Sequence, residues 1–431
     1  MEHQAKTAGA SGATSGGGYG LSLSVLATLF FMWGFCTVLN DVLVPHLRAV
    51  FEMNYVQTLL VQFVFFLSYF IFALPSGRVI EWIGYKGSIM AGLAVMACGC
   101  LLFIPAAYLP SYPVFLSAFF VLAAGITLLQ VAANPYVAVL GPEKTASSRL
   151  NLVQAFNSLG TVIGPIFGGM LILSRSTTGT VAVGAAVTLQ QRMTDARAVE
   201  LPYLGIAVVL LLLAGLIWMT RLPRIATEPE TEAQARDTIW RHRLLVMGIA
   251  AIFLYVGAEV SVGSFLINYM TSPHIGIVTT AIASGYVSYY WGGAMIGRFV
   301  GAYVMDLRKD DETTPARILG LNCAVAIVLV VTSMALSGTA AQWAMLLVGL
   351  CNSIMFPTIF TLAIRGLGPL TGRGSAALIM AIFGGAVLPE MQALLADSVG
   401  LTISFVLPIV CYVYLWVFAR ASRNAIAAER A

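Results

Sequence analysis

Apolar runs long enough to cross a hydrocarbon layer follow one another along the whole chain, separated by polar breaks. A spanning helix needs about 20 predominantly apolar residues. That criterion predicts twelve helices, near 21–46, 57–82, 87–108, 112–140, 147–174, 202–220, 244–270, 278–304, 316–337, 341–366, 373–396 and 399–420. The long polar break after the sixth helix, "RLPRIATEPETEAQARDTIWRHR" from Arg221 to Arg243, divides them six and six. The pattern therefore predicts an all-α membrane protein: an N-terminal six-helix bundle over 21–220, a linker over 221–243 and a C-terminal six-helix bundle over 244–420. The Gly/Ser-rich stretch from Ala8 to Gly20 reads as a disordered tail over 1–20, and 421–431 reads as a second tail.

The two halves repeat one another weakly. Gly77 and Arg78 after the second helix are matched by Gly297 and Arg298 after the eighth, and Pro135 of the fourth helix by Pro357 of the tenth. Both offsets are about 220 residues, which suggests a duplicated six-helix bundle: the parallel-repeat plan of a secondary transporter, with its site at the midplane between halves. Prolines inside such helices bend them and free carbonyls, which is tolerated where those carbonyls line a cavity.

Charge sets the orientation. Of the 23 Lys and Arg residues, only Arg48, Arg175, Arg192 and Arg197 fall in the loops on one side. The positive-inside rule then places both termini and the linker in the cytoplasm. No basic start with a small-residue cleavage site frames the first helix as a removable signal, so it stays in the protein.

With 59% hydrophobic and 10% charged residues, the chain is not a soluble globular protein, and a net charge of +4 without basic–aromatic clusters argues against nucleic acid. The six cysteines, Cys36, Cys98, Cys100, Cys323, Cys351 and Cys411, all lie in apolar spans and read as small apolar side chains. His3, His46, His242 and His274 are scattered, so neither a metal site nor another cofactor is expected. An intramembrane enzyme would combine a nucleophile with a base, and no span does.

The polar residues inside spans carry the chemistry. A carboxylate at the bilayer centre costs about 2.5 to 3.5 kcal/mol and faces a cavity or a partner. Glu259 lies mid-span, with Tyr255 one turn before it on the same face. Asp41 ends a 20-residue apolar run and reads equally as an interfacial residue or a buried one. Gln130 and Asn134 are four apart on the fourth helix. Asn151, Gln154, Asn157 and Ser158 form a stripe down the fifth.

The strings "FFMWGFCTVLNDVLVPHL", "LLQVAANPYVAVLGPEKTASSRLNLVQAFNSLG", "YVGAEVSVGSFL" and "FPTIFTLAIRGLG" resemble the fucose:proton symporter family of the major facilitator superfamily, and within it the bacterial glucose/galactose permeases. The resemblance covers the chain apart from the tail and the central loop. It implies a twelve-helix major facilitator fold in the bacterial inner membrane and proton-coupled uptake of a monosaccharide. It also implies that the aspartate of "LND", Asp41, couples protons.

Asp41 and Glu259 are separated by close to the repeat offset, so they are expected to face one cavity from the two halves. Carboxamides supply both donor and acceptor to sugar hydroxyls without the desolvation penalty of a charge. Asn40, Gln130, Asn134, Gln154 and Asn157, with Tyr255 against the ring, are therefore the expected sugar contacts. Arg78 and Arg298 resemble the superfamily's inner gate motif, a latch between the halves. One departure stands out: fucose permeases of the family carry a glutamate where this chain has Gln130, so their two-carboxylate proton route is in doubt here. The protein is expected to act as a monomer in the lipid bilayer. An uncoupled facilitator, a transporter-like sensor, or a carrier of another sugar such as N-acetylglucosamine or fucose is the alternative.

Overall fold

A computed structural model describes residues 16–51, 55–108, 111–171, 197, 199–220, 223, 238–276 and 279–429. The described residues hold no strand. The N-terminal half contains α1 (Gly16–Phe51), α2 (Tyr55–Tyr108), α3 (Tyr112–Val139), α4 (Ala146–Leu171) and α5 (Glu200–Met219). The C-terminal half contains α6 (Arg243–Met270), α7 (Thr280–Leu307), α8 (Thr314–Ala335), α9 (Gly338–Asn352), α10 (Met355–Ala363), α11 (Thr371–Met380), α12 (Gly384–Val399), α13 (Leu401–Ser404) and α14 (Val406–Ala428).

Twelve crossings result. Among the described residues ten helical stretches are long and apolar enough to cross a membrane, and one of them, Leu60–Tyr108, holds two crossings. The break between those two is Gly84, at φ 70 and ψ 174, a backbone conformation that a side chain would strain. The gap expected between 82 and 87 is thus a single sharp turn. α7, richer in Gly, Ser and Tyr, completes the set. The outer helices turn Leu211, Leu212, Leu321 and Val328 outward, whereas α3 is buried from Leu129 through Ala138. Lipid is as apolar as leucine, so close approach holds such helices together. A Cβ added at Gly34 or Gly160 would meet the backbone of the facing helix where α1 crosses α4, and at Gly99 it would meet Leu122 of α3.

Two ends differ from the apolar-run reading. The first helix begins at Gly16, inside the expected tail, and the last continues past 420 to Ala428 with Ser422 and Ile426 buried. At the C-terminal end the helix continues because its inner face, Ser422 and Ile426, is packed against the protein.

The repeat-related prolines act differently from simple bends. A proline has no N–H for the carbonyl four residues before it. For Pro357 that carbonyl is Ser353 O, and the tenth crossing breaks there, between Asn352 and Met355; Arg298 Nε donates to it at 2.9 Å. For Pro135 it is Val131 O. Here α3 runs on unbroken, and Ser375 Oγ of the other half donates to the freed oxygen at 2.9 Å. Both vacated carbonyls are therefore satisfied, one of them across the two halves.

Candidate functional site

The halves are sewn together along α4. Near its middle, Arg298 of α7 donates from Nη1 to Ser158 Oγ and to Gln154 O (3.4 Å). Further along, Asn151 Nδ2 reaches Thr358 Oγ1 at 3.3 Å and Met305 Sδ at 3.6 Å. Ser148 Oγ donates to Ala302 O at 2.8 Å, and Ser147 Oγ meets Thr361 Oγ1 at 2.7 Å. α4 runs antiparallel to both α7 and α10, so residues descending one helix meet residues ascending the others. From Ser158 to Ser147 the seam covers about 17 Å.

Beyond it the contacts become ionic. Arg365 gathers Glu312 (2.7 Å), Glu429 (3.3 Å) and Glu143 (3.4 Å), the last from the opposite half. Glu81 pairs with Arg373 at 2.7 Å and Lys144 with Asp310 at 3.6 Å, both across the halves. A cavity of 520 Å³ opens between the halves at this charged end, bordered by Tyr85, Glu143, Ser147, Glu312, Thr361 and Arg365. It is a vestibule at the end of the seam and does not include the polar cluster above.

That cluster has two parts. In the N-terminal half Gln130 Nε2 donates to Tyr69 OH (2.7 Å), Gln154 Nε2 to Asn134 Oδ1 (3.3 Å) and Asn157 Nδ2 to Phe30 O (3.0 Å). Gln130 Oε1 and Asn134 Nδ2, an acceptor and a donor one turn apart on α3, are buried without a hydrogen-bond partner. In the C-terminal half Glu259 Oε1 is likewise buried and unpartnered, 4.0 Å from Arg298 Nη2. A separation of that length is an ion pair but not a hydrogen bond. Behind it Asn352 organises three buried tyrosines: Tyr255 OH donates to its carbonyl (3.0 Å), Tyr412 OH to its Oδ1 (2.9 Å), and its Nδ2 donates to Tyr290 OH (2.8 Å). Unpartnered donors and acceptors on both halves are the groups that suit a polar, uncharged, many-hydroxyl solute. The described residues hold no group of His, Cys, Asp and Glu able to bind a metal, and all six cysteines are free.

The sequence profile described as the Major Facilitator Superfamily matches residues 21–389. The chain belongs to the major facilitator superfamily. It is 48% identical over 398 residues to a glucose/galactose transporter of Brucella abortus, covering 92% of this chain and 93% of that protein. It is 33% identical over 418 residues to the L-fucose-proton symporter of Escherichia coli, covering 93% of each. Among solved structures, FucP in the outward conformation superposes with a TM-score of 0.85 at 32% identity, over 94% of this chain and 99% of that one.

In this major facilitator chain the expected site residues are placed unevenly. Gln130, Asn134, Gln154 and Asn157 converge on the α3–α4 face, and Glu259 stands with Arg298 on the other half. Tyr255 is fully buried with its hydroxyl donating to the Asn352 carbonyl, next to the Glu259 side chain. Asn40 and Asp41 lie on α1, and their side chains fall outside the described residues. Arg78 is exposed on α2, and the ion pair joining the halves there is made three residues later by Glu81. Arg298, its repeat mate, sits at the Ser158 end of the seam.

The sequence reading passed over Ser147, Thr358, Thr361, Ser375 and Asn352. Single hydroxyls in apolar helices carry no pattern. The carbonyls vacated by Pro135 and Pro357 were the one signal available, since each demands a donor nearby.

Proposed function

We propose that this chain is a proton-coupled importer of a monosaccharide, glucose or galactose, in a bacterial inner membrane, working by alternating access. The observation that carries this is the 48% identity to the Brucella glucose/galactose transporter over nearly the whole of both chains. The likeness to the L-fucose-proton symporter supports coupling to protons. The lysine and arginine asymmetry supports a cytoplasmic charged end with both termini inside. On that orientation the sewn seam closes the cytoplasmic side, and the state is outward-facing, in keeping with the likeness to outward FucP.

The roles follow from the groups. Gln130, Asn134, Gln154 and Asn157, with Asn40, bind sugar hydroxyls; Tyr255 holds the Asn352 carbonyl behind them. Asp41 and Glu259 carry the coupling proton, with Glu259 supplying the second carboxylate that Gln130 lacks. Arg298 and the Glu81–Arg373 pair latch the halves, and Arg78 flanks that pair. Two bundles, 21–220 and 244–420, rock about the seam as a monomer in lipid, joined by the 221–243 linker.

The test is uptake of radiolabelled glucose and galactose into proteoliposomes with an imposed proton gradient. Accumulation above equilibrium that collapses on adding an uncoupler is the expected result. Equilibration unaffected by the uncoupler would make the protein a facilitator, and no saturable uptake of either sugar would refute the reading.

A further inference from the structure

Resting on that reading, we infer that Glu259 and Arg298 together form a subsite that reads a single sugar hydroxyl from the C-terminal half. The guanidinium is pinned on three sides: Nε on the Ser353 carbonyl vacated by Pro357, and Nη1 on Gln154 O and Ser158 Oγ of the opposite half. Its Nη2 edge is turned toward Glu259 but stops 4.0 Å short, leaving Oε1 with no hydrogen bond. Each of the two side chains keeps 12% of its surface open, while Oε1 itself is buried, so the hydroxyl reaches it only as the side chains shift. Guanidinium can only donate and carboxylate only accept, so the gap calls for one group that does both. A hydroxyl is that group.

The distances suit it. An oxygen about 2.9 Å from Nη2 and about 2.7 Å from Oε1 subtends about 90° across the gap, and about 0.5 Å of side-chain movement makes the angle tetrahedral. Charge assistance on both sides would make this hydroxyl the most strongly read on the sugar. Arg298 also bonds the backbone carbonyl of Gln154, the residue whose side chain reaches Asn134, so the proposed hydroxyl shares this stretch of the seam with the amides of α3 and α4.

Binding of D-glucose, D-galactose and their monodeoxy and deoxyfluoro analogues to the full chain in nanodiscs tests this, with wild type, Glu259→Gln and Arg298→Lys. At one ring position, deoxygenation should weaken wild-type binding by about 10- to 100-fold. Fluorine, which cannot donate, should do no better there. The same deletion should cost at least about fivefold less in Glu259→Gln or in Arg298→Lys, with no such coupling at the other positions. Equal losses in wild type and both variants at every position would overturn the subsite. So would a wild type that accepts fluorine wherever it rejects hydrogen, a result that needs no variant to fold. A wild type that binds neither parent sugar would instead sink the transport reading, and the subsite with it.

Discussion

The seam should be held closed by its buried hydroxyls more than by its ion pairs. Thr361→Val keeps the shape of the side chain but removes Oγ1, leaving Ser147 Oγ without its 2.7 Å partner; both residues are buried. Orphaning a buried polar group costs about 1 to 3 kcal/mol. Because both side chains border the vestibule, the lower part of that range, about 1 to 2 kcal/mol, applies. When the seam is open the two hydroxyls meet water and nothing is lost, so the whole penalty falls on the closed state. The open-to-closed ratio should rise about 5- to 30-fold. Arg373→Gln removes the Glu81 pair, whose side chains are 50% and 41% exposed, and solvent screening limits such a pair to about 0–1 kcal/mol. Its shift should stay below about fivefold. Spin labels on Trp82 and Arg423, exposed on opposite halves near the charged end, would report both populations by electron–electron distance measurement in a background without the six cysteines. An Arg373→Gln shift equal to or larger than that of Thr361→Val would refute the reasoning.

Three further outcomes are expected. Asp310→Cys, at the charged end, should react with an impermeant thiol reagent only in permeabilised cells, whereas Thr271→Cys, exposed at the far end of α6, should react in intact ones; the opposite pattern reverses the orientation. Asp41→Asn fixes the neutral form, so it should abolish proton-driven accumulation while sugar still binds, read as sugar-induced proton uptake in proteoliposomes; near wild-type proton movement would make Asp41 an interfacial residue. Asn157→Ala should lower sugar affinity about 5- to 150-fold, by about 1 to 3 kcal/mol, in protein that still elutes as folded. Intact affinity in an unstable protein would assign Asn157 to the Phe30 contact between α4 and α1.

The apolar runs, the central polar break and the lysine and arginine asymmetry determine by themselves that this chain crosses a membrane twelve times in two halves, because a bilayer imposes its thickness on every span and leaves no backbone group unpaired. The amides of α3 and α4 were legible for a related reason: polar side chains that recur on one helical face of an apolar segment must have somewhere to point. What that reading left open was decided by contacts between residues far apart in the chain. Whether Arg298 flanks a membrane or pins two halves depends on Ser158, Ser353 and Glu259 coming to it from three other elements. Glu81, in the same gate-like stretch as Arg78, pairs with Arg373 across the halves, and only the packed halves show which residue of that turn faces Arg373. Pro357 announces a vacated carbonyl in the sequence, but the donor that fills it is a matter of tertiary distance. Hydrogen bonds reach only about 3 Å, so their partners are chosen by the fold.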